Sequence, residues 1–210
     1  MDKKGLREGK HAIKGLKDLE KLHPHKLLTY LFLFGISLVY SYLLISLTID
    51  TVLSTESVAL VQFPKFYIVS SFVILASMFI PAGLLKAYEG ENLFVIRKKI
   101  FGLFLAGTIF LFFQGIGWIE LIFQGVRVNS NFVGTYLYII SSFHMFTVLT
   151  AIGAIAYYLY LTRNLSVDGV AKLIHFTSPY EKTKLEIIHI YWGFLGISWI
   201  FIVTWLIFLI

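Results

Sequence analysis

Apolar residues gather into five runs, Leu27–Ile49, Phe66–Tyr88, Ile100–Phe123, Val133–Thr162 and Ile187–Ile210, each more than 20 residues long and parted by polar segments. About 20 residues of α-helix cross roughly 30 Å of hydrocarbon. Barrel strands would be shorter and half polar, so the pattern predicts an all-α, polytopic membrane protein with five transmembrane helices. Val133–Thr162 is long enough to tilt or to project from the lipid. Pro81 removes a backbone donor and is expected to kink the second helix. The runs do not repeat one another, which argues against a transporter built from inverted halves.

Charge orients the helices. The segment before the first run carries eight Lys and Arg residues, the end of the second run and the segment after it carry four (Lys86, Arg97, Lys98 and Lys99), and the last loop four. The two alternate loops carry only Lys65 and Arg127. A bias of 16 against two places the N-terminus on the cytoplasmic side, and an odd helix count places the C-terminus outside. Residues 1–26 form a basic tail in which Leu6, Ile13, Leu16, Leu19 and Leu22 recur loosely at helical spacing among lysines. Two readings stand for it, a helix lying on the membrane surface and a solvated tail. Residues 27–210 form one transmembrane domain.

Composition narrows the function classes. With 58% hydrophobic residues, 17% aromatic residues and mean hydropathy +0.80, no polar stretch is long enough for a separate globular core. The absence of Cys excludes disulfides, thiolate metal sites and thiol catalysis within the sequence. The net charge of +6 lies mostly in tail and loops, where it meets anionic lipid rather than nucleic acid.

Candidate chemistry inside the runs is sparse. A charge at the bilayer centre costs at least about 2.5–3.5 kcal/mol, so a membrane protein retains one there for a purpose. Here Glu120 is the only acidic residue within a run, one turn from its end, and it reads as a group that reaches water or bonds a neighbour. Haem ligation by paired histidines needs partners at matching depth, but His144 is the only deep histidine and reads as a hydrogen-bonded packing residue. No phosphate loop, nucleophile triad or zinc motif is present. Small and polar residues such as Ser70, Ser71, Ser77, Gln114, Gly107 and Gly117 suit close packing between helices. Trp192, Trp199 and Trp205 recur at two-turn spacing, as belt or packing residues do.

In order, the runs carry His23-Pro24 before Leu27–Leu33, then Phe63-Pro64, Tyr67 and Ser70-Ser71, then Phe113-Gln114 and Trp118. The fourth carries Gly134-Thr135, Tyr138, Ser141-Ser142-Phe143-His144 and Val148. The fifth carries Glu186 and Tyr191-Trp192-Gly193-Phe194-Leu195-Gly196-Ile197-Ser198-Trp199. This succession resembles subunit III of the haem–copper respiratory oxidases, in the short five-helix bacterial form. The last two stretches are similar to that family's Gly-Ser … Thr-Gly-x-His-x-x-His-Val and Glu … Tyr-Trp-His-Phe-Val-Asp-x-x-Trp patterns. The departures are systematic: Thr147 stands for the second histidine of the first pattern, and Gly193 and Gly196 stand for the His and Asp of the second. Gly117 stands for the acidic residue that follows Gln114, and Ile36 for a first-helix glutamate.

The resemblance implies a non-redox accessory subunit in a bacterial inner membrane, with no cofactor of its own. Haem and copper are expected in partner subunits of a complex that reduces oxygen and pumps protons. The implied partners are catalytic subunit I, subunit II, phospholipid held in a cleft, a small subunit IV and a respiratory supercomplex. His144, Tyr191, Trp192, Phe194 and Trp199 are the implied cleft or interface residues, followed by Gln114 and Glu186. Loss of the ionisable positions argues for a packing role rather than proton delivery. Two alternatives stay open: an accessory protein of a nitric oxide reductase, and a small transporter or channel.

Overall fold

A computed structural model describes residues 24–53, 61–128, 132–165 and 168–209. The basic tail, Glu56 and Ile210 therefore lie outside the described residues, apart from the tail's last three positions, which begin the first helix. The elements are α1 (Pro24–Leu53), α2 (Lys65–Ser77), α3 (Leu84–Glu89), α4 (Leu93–Phe123), α5 (Phe132–Leu161), α6 (Gly169–Thr177) and α7 (Pro179–Leu209). Four of them, α1, α4, α5 and α7, are long and apolar enough to cross a membrane. The chain is thus an all-helical, multi-pass membrane protein.

The second apolar run departs from expectation. It is not one kinked helix over 66–88 but two helices parted by six residues of turn. Ile80, Ala82 and Leu84 donate backbone bonds to Ser77, Phe79 and Pro81, three residues back, so the chain tightens to a 3₁₀-like path. Pro81 has no N–H to extend an α-helix, and Gly83 adopts φ +74°, a left-handed conformation that glycine enters without penalty. The ammonium of Lys99 donates to the freed carbonyls of Ile80 (3.0 Å) and Ala82 (2.7 Å). A break at this depth therefore leaves those two backbone acceptors satisfied.

At its other end α2 is met by Glu120, whose Oε2 accepts from the Phe66 N–H at 3.4 Å. Glu120 is half-buried, so it bonds a neighbour rather than only reaching water. α2 and the turn after it run along α4 between these two contacts.

Cap chemistry sets the ends of α4 and α6. Asn92 accepts from Val95 N–H at the start of α4, and Asp168 accepts from Val170 and Ala171 at the start of α6. After α4, Gly125 at φ +79° turns the chain, with Val126 N–H bonded to Leu121 and Gly125 N–H to Ile122. α6 was not foreseen from hydropathy. α7 begins eight residues before the apolar run at Ile187, in a polar turn tied by Lys184–Glu181 and Lys182–Glu89 ion pairs.

The long helices and α2 close into a ring, α1–α7–α2–α4–α5, with α5 and α7 also touching across it. Each contributes one ring system to the centre: Tyr40, Trp199, Tyr67, Phe110 and His144.

Candidate functional site

His144 on α5 is fully buried at the centre of this ring. Its imidazole lies 4.7 Å from the Trp199 ring and meets Phe110 edge-on at 5.5 Å. Nδ1 lies 3.0 Å from the Tyr40 hydroxyl, which is also 3.3 Å from Thr147 Oγ1. Thr147 occupies the position of the missing second histidine, and there it joins a hydroxyl network instead.

A serine face on α2 supports the junction. Ser70 Oγ accepts from Gln114 Nε2 at 2.8 Å, Ser71 Oγ from Trp199 Nε1 at 3.0 Å, and Ser77 Oγ from Trp192 Nε1 at 3.0 Å. Each serine in turn donates to a carbonyl of its own helix. The hydroxyls thus relay between backbone and indole or amide, and no serine oxygen is left unsatisfied in hydrocarbon. The signal was present in sequence as the similar two-turn spacings of Ser71 with Ser77, six residues, and of Trp192 with Trp199, seven residues. Reading one pair against the other would have joined the two helices. Trp118 Nε1 similarly donates to Ser141 Oγ on α5.

Three buried polar atoms, His144 Nε2, Gln114 Oε1 and Tyr67 Oη, have no partner among the described residues. No group of three or more His, Cys, Asp or Glu side chains converges among the described residues where it could hold a metal ion.

The departures noted in the sequence have steric counterparts. The Tyr67 ring lies directly over Gly117 and the Met78 thioether over Gly196, so closely that a Cβ at either position would collide. Ile36 is a buried core residue. Three positions where the resembled family carries acids are thus used here for packing. Gly193 differs, since a Cβ there would meet open space.

The remaining sequence candidates lie elsewhere. Tyr191 and Trp192 line an apolar groove of about 190 Å³ between α1, α5 and α7, with Phe32, Thr150 and Ile155. Tyr191 stacks on Phe32 (centroids 6.4 Å, 11° between planes), and its hydroxyl reaches Thr150 Oγ1 at 2.9 Å. Glu186 pairs with Lys26, one residue before Ile187, where the groove's lining on α7 begins. Phe194 lines a second shallow groove with Ser37, Tyr40 and Ser41. The seven candidates therefore divide among a core junction (His144, Gln114, Trp199), a groove (Tyr191), the wall between them (Trp192), a second groove (Phe194) and a polar end (Glu186).

At the end of the bundle that carries α6, Tyr88 donates to the carbonyls of His175 (2.7 Å) and Ser178 (2.8 Å). His175 is buried, with Nδ1 3.4 Å from Glu181 and Nε2 3.4 Å from the Tyr158 hydroxyl. Burial holds its pKa below the ordinary histidine value, against the pull of the Glu181 carboxylate.

Comparison with known proteins places this architecture. The chain is 29% identical over 132 residues to a "Probable cytochrome c oxidase subunit 3" of Nocardia farcinica. It is 27% identical over 137 residues to cytochrome c oxidase subunit 3 of Corynebacterium diphtheriae, and 28% over 134 residues to a counterpart in Mycobacterium tuberculosis. These relatives support a subunit III-like protein. The alignments take in 63–65% of this chain and only 60–62% of the relatives' own lengths. No protein-family model matches the chain. On the subunit III-like reading, the junction around His144 and the groove beside Tyr191 are the two features to explain.

Proposed function

We propose that this chain is a non-redox accessory subunit of a respiratory haem–copper oxidase in a bacterial cytoplasmic membrane. It packs on the catalytic subunit, seats a phospholipid chain in the Tyr191–Trp192 groove and supports assembly of a complex that reduces oxygen and pumps protons. The similarity to subunit 3 proteins carries this reading. It is supported by the junction itself: where the resembled family has ionisable groups, Gly117, Gly196 and Ile36 fill their positions with packed apolar contacts. A proton path needs titratable groups in series. A lone His144 bonded to Tyr40 and stacked among aromatic rings suits rigid packing better.

Five crossings with the N-terminus inside fit this role. α2 alone, at 13 residues, spans about 20 Å, less than the hydrocarbon. Yet its segment is bonded to α4 at Glu120 and at Lys99, positions 21 residues apart on one helix, which is about 32 Å. That distance supports reading the broken α2–α3 segment as the second crossing.

The test is purification through a tag on this chain in mild detergent. Haem and copper with a large catalytic subunit should co-purify; a preparation free of both would reject the proposal. The haem types recovered separate oxygen reduction from nitric oxide reduction. In the same complex, His144→Leu should leave the haem spectrum unchanged, whereas a lost haem band in an assembled complex would mean that the imidazole is a ligand.

A further inference from the structure

One pocket among the described residues plays no part in the proposed packing role. It is a cleft of about 960 Å³ where α4 begins, walled by Phe94, Arg97, Lys98 and Phe101 of α4 and by Lys172 of α6, with Leu159 of α5. Its chemistry is graded along α4. Phe94, Arg97, Lys98 and Phe101 fall at i, i+3, i+4 and i+7, so they share one face. Lys98 is exposed, and the Phe94 and Phe101 rings are 76% and 56% exposed. That is a large apolar area for a position beside three cations. The uncharged stretch of α4 starts at Ile100, so the cations sit where the helix leaves hydrocarbon and Phe101 sits just inside it.

Two of the three cations are held in place from outside the cleft. Arg97 Nη1 donates to the carbonyls of Thr162 (2.9 Å) and Arg163 (3.0 Å) at the end of α5, which fixes the guanidinium beside the cleft and leaves Nε and Nη2 for a ligand. Lys172 is set 6.0 Å over the Phe176 ring of its own helix. Glu91 is the one acidic group in the lining, so three positive charges face one negative charge. α6 also presents Val170, Leu173 and Ile174 on an exposed face at i, i+3 and i+4, as a helix lying at a lipid boundary does.

We infer that this cleft binds the headgroup of an anionic phospholipid of the cytoplasmic leaflet. The phosphate is taken by Lys98, Lys172 and the free edge of Arg97, and the acyl chains descend along Phe101. The inference rests on the proposed orientation, which puts α6 and the start of α4 on the cytoplasmic side. The site is separate from the Tyr191 groove, whose lining is uncharged. It selects by headgroup charge where the groove selects by apolar shape.

The experiment uses the full chain, purified with its co-purifying partners and reconstituted in mixed bilayers. Spin-labelled phosphatidylglycerol and phosphatidylcholine report the motionally restricted lipid fraction. The wild type should restrict phosphatidylglycerol in preference to phosphatidylcholine. Each of Lys98→Gln and Lys172→Gln should weaken that preference about fivefold, the effect expected of one lysine at an anionic surface, and the two combined as a cleft pair should weaken it further. The charge-matched pair Lys10→Gln with Lys14→Gln, in the tail, should weaken it far less. Equal restriction of the two lipids by the wild type, or equal losses from the tail pair and the cleft pair, would overturn the site. So would loss of a partner subunit from the cleft pair without change in lipid preference, since that would mark a protein contact. Haem content read on the same preparation keeps the two proposals apart: haem retained without lipid preference rejects the cleft alone.

Discussion

At the residue scale, the informative positions are glycines and serines rather than the aromatic residues they receive. Gly117 and Gly115 stand on the same helix, two residues apart, in opposite circumstances. A Cβ at Gly117 would collide with the Tyr67 ring, which is itself wedged between Trp199 and Phe63; a Cβ at Gly115 would meet nothing within 4 Å. Gly117→Ala should therefore lower stability by about 1–3 kcal/mol, as overpacking of a filled core does. Gly115→Ala should be neutral, or stabilising by up to about 1 kcal/mol through helix propensity. Thermal unfolding in detergent, followed by tryptophan fluorescence, checks the pair. Equal effects at the two sites would mean that Tyr67 has room to move, and the argument that packing has displaced an acid at position 117 would fail with it. The sequence showed that Gly117 departs from the resembled pattern, but not why, because the ring that fills the space comes from a helix 50 residues earlier.

At the scale of elements, hydropathy located helices but not their ends. The apolar run starting at Ile187 marks where α7 enters lipid, while the helix itself starts at Pro179 because Lys182, Lys184 and Glu181 extend it into a polar network. Pro81 was legible as a disturbance. Its outcome, a full break, depended on Gly83 taking a positive φ and on Lys99 reaching back to two carbonyls, neither of which a local pattern encodes. α6 was missed because nine residues make a weak periodic signal; Asp168 as its cap was the available clue. The docking of α6 carries a pH dependence. His175 titrates near 6.5 in an unfolded chain and lower when buried under Tyr88 and Tyr158 beside Glu181. As pH falls through 6.5 the unfolded form takes up the proton first, so the stability contributed by the neutral buried ring is full above that pH. It declines as pH drops toward the folded value. Protection factors over Gly169–Thr177, each amide's rate taken relative to its intrinsic rate at that pH, should fall on acidification from pH 7 to pH 5, and His175→Phe should remove that fall. Protection factors that are flat with pH in the wild type would show that protonation costs the junction nothing.

At the scale of the whole molecule, the arrangement turns on whether the broken α2–α3 segment crosses. The basic segments argue that it does, since Lys86, Arg97, Lys98 and Lys99 would otherwise share a side with Lys65 and leave the charge bias of the flanking loops unexplained. The bonds of Glu120 and Lys99 argue the same way from structure, because they tie the start of α2 and the turn that follows it to positions near opposite ends of α4. The chain contains no Cys, so single cysteines can be introduced without altering its background. Gln62, Glu91, Arg127 and Asn164 are all exposed and flank the helices in alternation. With five crossings, a membrane-impermeant maleimide applied to spheroplasts should label Gln62→Cys and Arg127→Cys but not Glu91→Cys or Asn164→Cys; inverted vesicles should reverse the result. With a re-entrant second segment, Gln62→Cys and Glu91→Cys would label from the same side. The lysines at the start of α4 would then face the opposite leaflet from the basic tail, and the orientation on which the phospholipid cleft depends would be lost.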